Sequence, residues 1–137
     1  MRLLFCGTPG HSAKCIESLH GYCQSSFLCE IIGVCSTPFA SVFNNASSVS
    51  VCAKSLGIPL FTPENPGEKS FIAKLADLQP DVCITVSYGK YLSSSFLKIP
   101  VCGTINIHPS LLPLYRGASP VPTTILNGDS GIHSFHA

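Results

Sequence analysis

Apolar runs of strand length alternate along the chain with segments whose apolar residues recur at helical spacing. Leu3 to Cys6 predicts a short strand that ends at Gly7. Ala13, Ile16 and Leu19 lie on one face of a helix over Ser12 to Leu19. Phe27 to Cys35 predicts a second strand, and the polar, weakly periodic Ser36 to Ser48 a loop. Val49 to Leu56 reads as a helix closed by Gly57. Pro59 to Thr62 follows as a third strand. Glu68 to Leu78 is helical, with Phe71, Leu75 and Leu78 on one face. Asp81 to Val86 is almost continuously apolar, as in a strand buried on both faces. Tyr91 to Leu97 predicts a short helix, Gly103 to Ile107 a fifth strand and Ala118 to Leu126 a helix. Asn127-Gly128 predicts a turn, and Gly131 to Phe135 the start of a sixth strand. This alternation implies right-handed β-α-β units and a doubly wound, mostly parallel sheet covered by helices. Ligands in such sheets bind outside the carboxyl ends of the strands, near the point where strand order reverses. The residues just after Cys6, Val86 and Ile107 are therefore the first candidates.

At 137 residues the expectation is one domain with a sizeable core. Charged residues make up only 11% against 45% hydrophobic, where about 25% charge is usual. So apolar a chain is expected to pack against a further segment. The net charge of +1, with no basic block, argues against nucleic-acid binding driven by this stretch alone. There are eight cysteines, none in C-x-x-C spacing, and several inside apolar runs (LLFC, IIGVC, DVCITV). They are expected to be reduced, buried and metal-free. No apolar run is long enough to span a membrane, and the first one is too broken for a secretory signal. Asn45-Ala46-Ser47 fits a glycosylation triplet, a pattern short enough to arise by chance.

Chemistry-bearing residues cluster after the strands. Gly7-Thr8-Pro9-Gly10 joins a strand to a helix, but Pro9 removes a backbone donor and G-x-G-x-x-G is absent. A tight turn beside the crevice is expected there, not a phosphate cradle. Asn106 and His108 lie two apart on the fifth strand, hence on one face. An amide can donate to a developing oxyanion, and an imidazole can move a proton to or from the same centre. That pairing suits acyl transfer; a satisfied pair of core side chains is the equally open structural alternative. Pro109 and Pro113 stiffen the loop that follows. Arg116, beside Gly117, offers a charge for an anionic ligand or simply for solvent. His133 and His136 would face opposite sides of a strand and do not suggest a metal pair.

FCGTP at 5–9, LGIPLFTPE at 56–64, LQPDVCITVSYG at 78–89 and INIHPSLLPLYRGASP at 105–120 occur in an order and spacing that resembles the N-terminal domain of the methionyl-tRNA formyltransferase family. The resemblance covers nearly the whole chain, and Asn-x-His followed by SLLP and YRGA is its most specific part. It implies a Rossmann-like formyltransferase domain over residues 1–137 that takes the formyl group of 10-formyltetrahydrofolate to the amine of initiator methionyl-tRNA. Asn106 and His108 match the catalytic Asn and His of the family. Ser110, Leu111, Leu112 and Pro113 match its tetrahydrofolate stretch. The segment Tyr88 to Leu92 matches one that walls the pterin pocket. A monomer off the membrane is implied.

The chain also departs from the family. Its third catalytic residue, an Asp, aligns just past Ala137, with Asp129 matching only the preceding turn. The family's C-terminal tRNA-binding domain is expected to fall beyond Ala137 as well. The basic loop expected after the second strand is shorter and lacks Lys and Arg over Phe39 to Ser48. A partial domain, inactive as given, is therefore expected. Alternatives are a formyltransferase acting on glycinamide ribonucleotide or an amino-sugar nucleotide, a folate-binding remnant without turnover, or a poorly folded fragment with an exposed sheet edge. A eukaryotic source would place the protein in a mitochondrion or plastid, slightly favoured by the cysteine content, and a bacterial source in the cytoplasm. A chain that opens on its first strand is expected to carry no transit peptide.

Overall fold

The computed structural model describes residues 1–38 and 48–129. The strands are β1 (Arg2–Gly7), β2 (Glu30–Cys35), β3 (Leu60–Phe61), β4 (Val82–Val86) and β5 (Thr104–Ile107). The helices are α1 (Gly10–Ser26), α2 (Ser48–Ser55), α3 (Lys69–Asp77), α4 (Ser94–Leu97) and α5 (Pro120–Leu126). The strands form one sheet in the order β3-β2-β1-β4-β5. β1 pairs in parallel with both β2 and β4. β4 meets β5 with residue numbers rising together, Asp81 O receiving Cys102 N–H and Gly103 O receiving Cys83 N–H. Order reverses between β1 and β4, so the crevice expected of a doubly wound sheet opens after Gly7 and Val86.

Burial on both faces follows from how β1 sorts its side chains. Leu3 and Phe5 enter one apolar cluster with Ile16 of α1 and Val49 and Ala53 of α2. Leu4 and Cys6 enter the other with Leu75 of α3, Cys83, Tyr88 and Phe96 of α4. Alternation along an unbroken apolar strand thus supplies both layers. Burying each large side chain contributes about 1.5–3 kcal/mol. Gly7 is dictated by close approach. A Cβ there would lie 2.8 Å from the Phe5 ring, 2.9 Å from Ser12 Cβ and 3.1 Å from Val86 O. The turn of the FCGTP stretch can therefore bring α1 and β4 together only with glycine in this place.

Several expectations need correction. α1 runs on to Ser26, because the polar side chains after Leu19 lie on its exposed side while Cys23 keeps the buried spacing. Phe27 ends it in the left-handed region (φ 56°), its N–H donating to Cys23 O. β2 consequently starts at Glu30, since Phe27 and Leu28 form the turn. The cysteines are not all reduced: this turn folds the chain back so that Cys23 and Cys29, with Cα atoms 5.0 Å apart, form a disulfide. Nor are they all buried, since Cys102 is exposed and Cys15 half-buried, while Cys6, Cys35, Cys52 and Cys83 are buried as expected. α4 begins at Ser94, where the Ser93 hydroxyl accepts from Phe96 N–H and caps the first turn. The expected sixth strand, the glycosylation triplet, His133 and His136 lie outside the described residues, as does most of the expected loop before α2. No described helix is long and apolar enough to cross a membrane.

The chain divides into two compact units, Met1–Ile105 and Asn106–Ala137. The candidate site residues fall in both, Tyr88 and Leu92 in the first and Asn106 to Pro113 in the second.

Candidate active site

In the first unit, polar contacts knit the ends of β1 and β4. Thr8 Oγ1 donates to Tyr88 O at 2.8 Å, and Ser12 Oγ to Val86 O at 2.7 Å. His11 Nε2 lies 2.9 Å from Ser87 Oγ. Ser87 and Gly89 both take positive φ, 46° and 78°, so the chain turns sharply on leaving β4. Tyr88, between them, sends its side chain into the core. It is 4% exposed, packs with Cys6, Cys35, Cys83 and Phe96, and its hydroxyl has no hydrogen-bond partner. Burial, with the neighbouring thiols, pushes its pKa far up. Leu92 packs partly buried against the same cluster. Lys90 Nζ donates to Pro63 O at 2.8 Å and also to Glu64 O, fastening this turn to the loop before α3.

Cys6, beneath the turn, faces Cys83 with 3.6 Å between sulfurs and pairs in register with Cys35. Contacts with Cys35 and Cys83, then burial, hold its thiol well above the ordinary range. These are inert core thiols. No cluster of three or more metal-ligating side chains exists among the described residues.

The second unit opens with Asn106, exposed on β5, and continues into the loop after it. His108 is held on both ring nitrogens. Nδ1 lies 2.9 Å from Ser110 Oγ, and Nε2 lies 3.2 Å from Gly117 O. Ser110, 2% exposed, donates through Oγ to Leu114 O at 2.8 Å and through its N–H to His108 O at 2.9 Å. Tyr115 (φ 53°) and Gly117 (φ 106°) bend the loop back to the ring. Tyr115 OH donates to Asp129 Oδ2 and accepts from Asn127 Nδ2, which ties the loop to the end of α5. The Leu112–Pro113 peptide is cis.

The arrangement sorts the residues of the SLLP stretch. Leu111 and Leu112 are 43% and 40% exposed and leave apolar surface outside. Ser110 is buried and already engaged. Arg116 is exposed. The structure thus gathers His108, Ser110, Leu114 and Gly117 around one ring, and separately gathers Thr8, Ser12, Val86 and Tyr88 in the first unit. Thr8, Ser12 and Lys90 carry ties that sequence reasoning did not single out. The position of Thr8 just after a strand was the available signal; the acceptors, all backbone carbonyls, leave no mark in a sequence.

Residues 1–133 match the family described as formyl transferase. The chain belongs to the formyl transferase family. Within it, the chain is 39% identical over 134 residues to a methionyl-tRNA formyltransferase of Roseiflexus sp., covering 95% of this chain and 40% of that one. It is 41% identical over 133 residues to the methionyl-tRNA formyltransferase of Frankia alni, covering 94% and 39%. The chain therefore spans about 40% of the length of these relatives. In fold it is similar to the phosphoribosylglycinamide formyltransferase of Anaplasma phagocytophilum, with TM-score 0.75, 22% identity, and coverage of 100% of this chain and 65% of that one. It is also similar to glycinamide ribonucleotide transformylase 1 of Geobacillus kaustophilus, with TM-score 0.73, 18% identity and coverage of 93% and 68%. These two likenesses bear on fold: the Rossmann-like parallel sheet of formyltransferases is the fold of this chain.

Proposed function

We propose that this chain is the formyl-transferring part of an enzyme that passes the formyl group of 10-formyltetrahydrofolate to the amine of methionyl-tRNA. The observation that carries the reading is the anchored His108 ring just past the end of β5, two residues beyond Asn106. In this reading the Asn106 amide donates to the oxyanion that develops on the formyl carbon. His108 moves a proton between that oxygen and the attacking amine. Leu111, Leu112 and Pro113 present apolar surface to the folate ring. The folate supplies the one-carbon unit. The similarity to methionyl-tRNA formyltransferases favours a tRNA-borne amine as acceptor. The enzyme works as a monomer away from membranes, in a mitochondrion or plastid if eukaryotic.

The test joins this chain to the remaining length of the Roseiflexus relative and supplies 10-formyltetrahydrofolate with methionyl-tRNA or glycinamide ribonucleotide. Formyl-methionyl-tRNA is the expected product. His108→Ala is expected to lower the rate by about 10²–10⁴-fold, and Asn106→Ala by about 10²–10³-fold, with folding intact. A folded chimera that formylates neither acceptor, or one whose His108→Ala variant keeps full rate, overturns the reading. Product on glycinamide ribonucleotide alone moves the acceptor to the second class.

A further inference from the structure

We propose that Ser110 is the positioning residue of His108: its hydroxyl keeps one ring proton on Nδ1 and leaves Nε2 as the nitrogen that exchanges protons with substrate. The proposal rests on the reading of His108 as the proton-moving group, and it reassigns Ser110 from contact with folate to control of the ring.

A serine hydroxyl has one proton to donate. The Ser110 proton goes to Leu114 O, 2.8 Å away. The oxygen therefore presents a lone pair to Nδ1 at 2.9 Å, and only an N–H can complete that contact. Nε2 stands 3.2 Å from Gly117 O, a contact satisfied when the ring carries its second proton. Once that proton has left, one of two arrangements must hold. In the first, Nδ1–H donates to Ser110 and Ser110 to Leu114, and the Gly117 carbonyl loses its partner. In the second, Nε2–H stays on Gly117, the serine proton turns to Nδ1, and the Leu114 carbonyl loses its partner. Each keeps two bonds, so the choice depends on which carbonyl is released. The contact at Gly117 is exposed, where water replaces the lost donor. The contact at Leu114 is half-buried and is made by a serine only 2% exposed, and an orphaned acceptor there costs more. The first arrangement wins. The proton that leaves His108 then comes off Nε2 and goes to the substrate oxygen, while Nδ1–H···Oγ–H···O=C stays in place.

Burial agrees with this role. Ser110 is 2% exposed, whereas the two residues after it are exposed, Leu111 at 43% and Leu112 at 40%. Its N–H also donates to His108 O, so ring and serine are fixed to one another through main chain and side chain alike.

The test is the tautomer itself, read by two-bond ¹H–¹⁵N correlation of the ¹⁵N-labelled 137-residue chain at a pH where the His108 ring gives its neutral-form signals. Loss of one spin system in His108→Gln assigns the ring. The expected pattern is a protonated Nδ1 and an unprotonated Nε2, retained in Ser110→Thr and lost in Ser110→Ala. A wild-type ring protonated on Nε2, or a Ser110→Ala ring unchanged from wild type, overturns the proposal. The wild-type spectrum decides even where the alanine variant does not fold. In the completed chimera, Ser110→Ala is expected to lower kcat roughly tenfold, a part of what general acid–base catalysis contributes, with KM for the folate unchanged and kcat restored by threonine. A raised KM with unchanged kcat would return Ser110 to folate binding. The spectra need no turnover. A chimera without activity beside the expected tautomer refutes the functional reading and leaves the positioning role standing.

Discussion

Two turns leave the carboxyl ends of strands in this molecule, one after β4 and one after β5, and they are secured in opposite ways. The first buries an aromatic side chain: Tyr88 is pinned among Leu4, Cys6, Cys83 and Phe96, Thr8 only trims its backbone, and Lys90 reaches out to Pro63 O. The second keeps its apolar side chains Leu111, Leu112 and Leu114 outside. It is held by polar ties through His108, Ser110, Tyr115 and Asp129. Both use left-handed residues to reverse direction. The difference teaches that packing secures a turn strongly but is indifferent to angle. Hydrogen bonds are weaker but fix the direction of a ring such as His108. The apolar surface left over is then free to meet a ligand.

The largest effect that would break the comparison is at Tyr88. Tyr88→Ala is expected to destabilise the chain by about 3–5 kcal/mol, as for other buried aromatics. Tyr88→Phe removes a hydroxyl without a partner and should leave the urea midpoint level or raised. A large loss in Tyr88→Phe would mean that the hydroxyl, not the ring, secures the first turn.

A smaller effect concerns alkali. Folded Cys6 holds its proton to a higher pH than the unfolded chain does, and Tyr88 likewise. The unfolded chain therefore releases protons first, from about pH 8.5 for a thiol. Stability is complete below that pH and falls as pH rises through the range up to the folded-state value. Urea midpoints between pH 7 and 10 should decline, and the decline should be shallower in Cys6→Ala. An equal slope in both proteins would free Cys6 of responsibility.

The smallest effect belongs to the second turn. Leu111→Ser should change stability by no more than about 0.5 kcal/mol, as at other exposed positions, yet weaken folate binding in the completed enzyme. A clear loss of stability would show that Leu111 packs as Tyr88 does.

How much of this was legible in the sequence follows the same division. The strands β1 and β4 announce themselves by apolar runs, and the doubly wound order follows from their alternation with helices. The split of Leu3 and Phe5 from Leu4 and Cys6 is hidden, because both faces are apolar. The full length of α1 is hidden: Gly21, Gln24 and Ser25 look like a break until the helix is seen to show them to solvent. The Cys23–Cys29 bridge was misread, because two thiols six apart meet only when a left-handed Phe27 turns the chain. At the candidate site, Asn106, His108 and the proline-bounded loop were visible as residue types. Their fixing was not, since Leu114 O and Gly117 O are main-chain atoms that any sequence would supply.

The free cysteines amount to a built-in clock. Cys102 stands in solvent, while Cys6, Cys35 and Cys83 are sealed inside the sheet. A thiol-reactive dye would mark the first at once and the other three only when β1, β2 and β4 part. Slow labelling at those three, told apart by peptide mass from Cys15 and Cys52, would then count the openings of the sheet with no residue changed.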